Sequence, residues 1–119
     1  MSDSYNHSFN ILEICSQLGE KIVSPSDLFS DDDGRISEKT GIKKLNRSQY
    51  SAFELAISAL KKSKMLANIA SEIQYVIYVT QSPTNFLPNH ASEIQDYFSI
   101  NRNSMCFDIN QGCSGFVQA

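Results

Sequence analysis

The chain has 119 residues, enough for one compact domain, with 41% hydrophobic and 19% charged residues. A net charge of −3 argues against a dedicated nucleic-acid binder, which presents a basic face. No apolar run reaches the roughly 18 residues that span a bilayer, and residues 1–10 lack the basic and apolar regions of a signal peptide. Three cysteines suit a reducing compartment better than a disulfide framework. A cytoplasmic protein, with no nucleic-acid and no membrane partner, is expected.

Residues 1–10 read as a polar lead-in. Ser8 to Ser16 predicts a strand, with Phe9, Ile11 and Ile14 apolar in imperfect alternation. Pro25 and the run Ser30-Asp31-Asp32-Asp33-Gly34 mark loops. The acidic run lacks the alternating ligands and the distal glutamate of a calcium loop, so a solvated turn is expected. A short helix is predicted from Arg35 to Thr40, with Gly41 in place for a left-handed C-cap. Ser51 to Lys64 predicts the clearest helix. Ser51 and Glu54 have capping-box spacing. Phe53, Ala56, Ile57 and Leu60 form its apolar stripe, and Lys61, Lys62 and Lys64 in the last turn suit the helix dipole.

Ile73 to Thr80 predicts a strand whose centre, Tyr75 to Val79, is apolar on both faces, as in a parallel strand covered by helices on each side. Gln81 to Pro88, with two prolines, is loop. Asn89 to Ser99 reads as a helix with Ala91, Ile94, Tyr97 and Phe98 on one side, and Met105 to Ile109 as a second buried strand. This order points to a crossover α/β fold with a mainly parallel sheet and covering helices. The whole chain, 1–119, is expected to be one domain. After Gly112 to Gly115 only Phe116 to Ala119 remain for a following helix, so the expectation is a domain truncated after this turn.

Gly112-Cys113-Ser114-Gly115 follows an apolar strand and opens an apolar helical start, the setting of a nucleophile turn. The glycines permit unusual backbone angles and close approach of a substrate. A cysteine at a helix N-terminus meets free N–H groups and the positive end of the dipole, which favour thiolate. The same N–H groups suit an oxyanion in acyl transfer. The pattern is not an α/β-hydrolase elbow, because G-x-S-x-G is absent. A small inert residue packed where backbone runs close is the alternative reading of Cys113.

Other chemistry-bearing residues give less. His7 and His90 are expected at the surface, and without partners at ligand spacing no metal site is expected. Cys15 and Cys106 are expected as small buried residues within strands. Lys43, Lys44 and Arg47 form a basic cluster, read first as a solvated face and second as a surface for an acidic carrier protein.

Three spaced blocks carry a resemblance. Ser37-Glu38-Lys39-Thr40-Gly41-Ile42-Lys43 resembles the "R-T-G-I" segment of the β-ketoacyl-acyl-carrier-protein synthase III family. Thr80 to Pro88, followed by Ile94-Gln95, resembles that family's "P…A…IQ" pattern. Phe107-Asp108-Ile109-Asn110 followed by Gly112-Cys113-Ser114-Gly115-Phe116 resembles its nucleophile segment. The resemblance runs from about Phe9 to Ala119 and corresponds to the first third or so of a complete enzyme.

It implies the N-terminal part of a thiolase-like fold and a thioester chemistry without a cofactor. An acyl-CoA or acyl-carrier-protein thioester acylates the cysteine, and malonyl on acyl carrier protein is then decarboxylated and condensed onto it, in fatty acid or related biosynthesis. Cys113 matches the acylated nucleophile, its backbone N–H serving the oxyanion hole. Lys39 and Thr40 match contacts to the incoming thioester carrier, and Leu87 matches a bulky residue that reaches the neighbouring subunit's acyl pocket and limits chain length. A homodimer is implied. Arg35 and Lys39 stand where bacterial members have a tryptophan and an arginine that clasp the adenine of CoA, and an arginine can still stack on that ring. The family's catalytic histidine and asparagine fall beyond Ala119, so this chain is expected to be inactive alone. A non-catalytic short homologue that binds an acyl carrier protein or a partner subunit is the alternative reading.

Overall fold

The computed structural model describes residues 10–29 and 34–119. His7 and the acidic run Asp31 to Asp33 lie outside them, as does the start of the strand expected from Ser8. The rest of that strand does not form. Residues 10–19 have no regular structure and are instead held by side chains. Glu13 accepts hydrogen bonds from Ser63 Oγ and from the Lys64 backbone at 2.9 Å. Lys62 Nζ donates to the Ser16 carbonyl at 2.9 Å. Cys15 is therefore a half-buried residue of an irregular segment, not a strand residue.

The first sheet pairs β1 (Lys21–Val23) with β2 (Leu45–Arg47) antiparallel. Glu20 ties its end by accepting from Ser48 Oγ at 2.7 Å and the Gln49 backbone at 2.9 Å. Between these strands lie α1 (Pro25–Leu28) and α2 (Arg35–Thr40). Pro25 opens α1 and is buried, so it starts a helix where a loop was expected; its missing N–H costs nothing at a first helical position. Gly41 ends α2 at φ 72°, the left-handed cap anticipated from sequence.

Helix α3 (Ala52–Leu60) opens on the expected capping box. Ser51 Oγ accepts from the Glu54 N–H, and Glu54 accepts from the Ser51 N–H at 2.7 Å. The helix stops four residues short of the expected Lys64. Ser63 starts a new turn by accepting from Leu66 N–H at 2.9 Å at the head of α4 (Leu66–Ile69). The lysines accordingly serve tertiary contacts: Lys61 Nζ stands 5.1 Å from the Tyr97 ring centre.

The second sheet pairs β3 (Tyr75–Val79) with β4 (Met105–Ile109) in parallel, joined by the crossover helix α5 (His90–Tyr97). The crossover gives the parallel pair expected from the element order, and β1–β2 adds a separate antiparallel pair. The register sets Val76 beside Cys106 and Tyr78 beside Asp108 on one face, and Ile77 beside Phe107 on the other. The first face carries the core: Val76 and Tyr78 pack with Ile57, Ala70, Ala91, Ile94 and Ile100. Tyr75, Ile77, Val79, Met105 and Phe107 on the second face remain exposed. Both faces were expected to be covered; among the described residues α3 and α5 cover one, and only the start of α6 (Gly115–Gln118) approaches the other.

Candidate active site around Cys113

The β4 strand leads through Asn110 and Gln111 into a 3-10 turn, Gly112–Ser114, and directly into α6. Gly112 holds φ 55°, a left-handed conformation that a side chain would strain. Gly115 is buried against the sheet: a Cβ there would stand 2.8 Å from Val79 Cγ1 and 3.5 Å from Ile109 Cγ2. Cys113 sits between these constraints with an exposed side chain. Ser114 Oγ donates back to the Gln111 carbonyl at 2.7 Å, which ties the turn to the end of β4. The Cys113 backbone N–H meets no acceptor among the described residues. An exposed thiol on a strand-to-helix turn beside an available N–H can receive an acyl group and stabilise an oxyanion.

The other thiols differ. Cys106 is half-buried in β4, and burial pushes its thiol above the ordinary range against an opposing hydrogen bond from Ser92. Its strand position agrees with expectation.

No protein-family model matches the chain. The β-ketoacyl-[acyl-carrier-protein] synthase III of Oenococcus oeni is 35% identical over 115 residues, covering 92% of this chain and 35% of that protein. The protein of the same name from Clostridium acetobutylicum is 32% identical over 118 residues, covering 95% of this chain and 36% of its own length. The chain is homologous to β-ketoacyl-[acyl-carrier-protein] synthase III. It spans about a third of the length of these relatives. The crystal structure of a 3-oxoacyl-(acyl-carrier protein) synthase from Burkholderia xenovorans aligns with a TM-score of 0.71 at 29% identity, over 87% of this chain and 32% of that one. The synthase III of Aquifex aeolicus gives 0.73 at 26% identity, over 88% and 35%. The fold is thus that of part of a thiolase-like synthase, as the three sequence blocks implied.

The residues that the synthase III resemblance singles out fall on three separate parts of the chain. Arg35 opens α2 and Lys39 follows one turn later, both exposed. Thr40 ends that helix, and its hydroxyl is engaged locally, donating to the Ile36 carbonyl at 2.6 Å and accepting from Ile42 N–H at 3.1 Å. Leu87 is 90% exposed on the loop between β3 and α5, where the Leu87–Pro88 peptide is cis. That loop, with Phe107, Asp108 and Asn110, lines an open groove beside the end of β4. Leu87 lines it, whereas Arg35, Lys39, Thr40 and Cys113 do not.

His90 corrects the sequence reading. Expected at the surface, it is 1% exposed and packs 5.0 Å from the Tyr78 ring and 4.8 Å from the Phe53 ring. Its Nδ1 lies 3.1 Å from Asp108 Oδ2, and its Nε2 lies 2.8 Å from Thr84 Oγ1. Asp108 also accepts from the His90 and Ala91 backbone N–H groups, each at 2.9 Å. A carboxylate at the positive end of α5 satisfies donors that the helix leaves free. One sequence signal could have found this pair. Asp108 interrupts an apolar strand at the same parity as Cys106, and a carboxylate facing a core requires a partner.

The lysines and arginine of the basic cluster, Lys43, Lys44 and Arg47, are exposed, as a solvated face requires. Among the described residues no group of His, Cys, Asp or Glu is arranged to hold a metal ion. No helix of the described residues is long and apolar enough to cross a membrane.

Proposed function

We propose that Cys113 is the acyl-accepting nucleophile of a β-ketoacyl-acyl-carrier-protein synthase III-type enzyme of which this chain supplies the first part. The carrying observation is the exposed thiol on the strand-to-helix turn of a chain homologous to that family. The Cys113 thiolate attacks the carbonyl carbon of an acyl-CoA or acyl-carrier-protein thioester. The oxyanion forms at the turn's free N–H, and collapse expels the carrier thiolate, leaving acyl-Cys113. Decarboxylation of malonyl-acyl carrier protein supplies the carbanion that takes the acyl group and releases the cysteine. We assign that step to a histidine and an asparagine, the pair that the resemblance implies.

Arg35, Lys39 and Thr40 stand on exposed α2 as contacts for the carrier, the two cations suiting the phosphates of CoA or the acidic surface of a carrier protein. Leu87, exposed on its loop, suits a reach into a neighbouring subunit's acyl pocket in a homodimer. We place the reaction in the cytoplasm, in fatty acid or related biosynthesis.

The test is intact-protein mass spectrometry after incubation with acyl-CoA or acyl-carrier-protein thioesters. The expected result is one acyl group per chain, on Cys113, absent from Cys113→Ala. Acylation that persists in Cys113→Ala, or none with either carrier, rejects Cys113 as the acceptor. Retained binding of acyl carrier protein would then favour the non-catalytic reading.

A further inference from the structure

One cluster, centred on the buried His90, takes no part in the acyl transfer proposed above. Thr84, His90 and Asp108 form a continuous hydrogen-bonded chain from the β3–α5 loop, through the first residue of α5, to β4. Ionised Asp108 only accepts hydrogen bonds, so the ring proton of His90 facing it sits on Nδ1. Thr84 Oγ1 lies 2.8 Å from Nε2 and also donates to Asn85 Oδ1 at 3.0 Å. The imidazole stacks on the Tyr78 ring, and the Phe53 ring meets it at a tilt of 57°.

The loop that this chain holds has little else to fix it. Phe86 is 79% exposed and Leu87 90%, so burial does not hold them. Segments with few buried contacts open locally unless polar ties restrain them. Asn85 Nδ2 donates to the Pro88 carbonyl at 2.6 Å, but that bond lies within the loop itself. The Thr84–His90 bond is the loop's tie to a buried side chain.

We propose that His90 is a positioning residue that fixes the Thr84–Pro88 loop, and with it Phe86 and Leu87, relative to β4 and the groove beside it. Resting on the function proposed above, the consequence is that this bond sets the acyl size that Leu87 admits in the neighbouring subunit's acyl pocket.

The loop is read by chymotrypsin cleavage of the Phe86–Leu87 bond, followed by fragment mass. Leu87–Pro88 resists the protease, so the site is single within this segment. Thr84→Val keeps the shape and removes the hydroxyl, and cleavage should rise about three- to tenfold, the effect of losing one ordinary hydrogen bond on a local opening. Thr84→Ser keeps the hydroxyl and should stay at the native rate. His90→Asn retains reach to Asp108 but not to Thr84, and the double variant should cleave no faster than the faster single one. Unchanged cleavage in a folded Thr84→Val chain, or additive effects in the double variant, overturns the proposal.

Cys113 plays no part in that readout, so it stands apart from the acylation test. In the second arm, rates of Cys113 acylation by short and long acyl-CoA are compared, and Thr84→Val should reduce the preference between them by about threefold. An unchanged ratio overturns the consequence for acyl size. Absence of acylation in the native chain overturns the proposed function and leaves the loop result to decide the role of His90.

Discussion

Gly115 lies so close to Val79 that a Cβ on it would stand 2.8 Å from Val79 Cγ1. The end of β3 thus shapes the turn that β4 delivers, and the position of Cys113 depends on a strand more than thirty residues earlier in the chain. Gly115→Ala should lower stability by about 1–3 kcal/mol, the usual cost of overpacking, measured by urea denaturation. Val79→Ala makes room, so the double variant should recover part of the loss. A Gly115→Ala chain as stable as the parent would show that the turn can shift without cost.

Asp108 anchors α5 by accepting from two backbone N–H groups and from the His90 ring. Asp108→Ala leaves these donors buried without an acceptor and should destabilise by about 3 kcal/mol or more. Asp108→Asn keeps one acceptor oxygen and should cost less. Equilibrium denaturation of the two variants ranks them; equal losses would mean that volume, not hydrogen bonding, sets the cost.

The three thiols should react in an order set by exposure and burial. With a limiting amount of iodoacetamide, peptide mapping should find Cys113 modified first and Cys106 last, because Cys106 is half-buried and its thiol is held above the ordinary range. Modification of Cys106 before Cys113 would contradict the exposed turn.

Stability should fall on the alkaline side. Burial raises the Tyr78 phenol, the Asp108 charge adding to the effect and the Thr80 hydrogen bond opposing it; burial also raises the Cys106 thiol. In the unfolded chain both groups ionise at their ordinary values, so the unfolded state binds fewer protons. The stabilisation is complete below those values and is lost as pH rises through the raised ones. Thermal melts from neutral pH upward should show this decline, and Tyr78→Phe should reduce the part that belongs to the phenol.

On the acid side the marker is Glu13, held below the usual glutamate range by the Ser63 hydroxyl and then by the Lys64 and Met65 N–H groups. A lowered value means that its contribution is present above the ordinary range and is lost as pH falls through the lowered one. The Lys64 amide resonance should titrate with a midpoint below that of a free glutamate, and Glu13→Gln should abolish the titration.

The exposed face of the β3–β4 sheet, with Tyr75, Ile77, Met105 and Phe107, is an apolar patch of the kind that drives association. Light scattering should show the chain associating with concentration, and Ile77→Lys with Phe107→Lys should return it to a monomer. A monomer at every concentration would mean that this face tolerates water.

What the sequence determined by itself was local. The Ser51–Glu54 capping box, the Gly41 cap and the strands at Tyr75 to Val79 and Met105 to Ile109 depend on residues within one turn or one run, and each formed as expected. The Cys113 turn was equally legible, because its glycines and the strand before it are neighbours in sequence. Tertiary structure decided the rest. Glu13 reaches Ser63 across fifty residues, so the apolar stretch that looked like a strand is held irregular by bonds that no local window contains. His90, at the start of a predicted helix, was expected at the surface, yet Asp108 and Tyr78, brought beside it by the parallel register, give it the partner and the ring that offset the cost of burial. Which face of a uniformly apolar strand is covered likewise depends on where the crossover helix lands, and the side-chain pattern of β3 alone carries no such information.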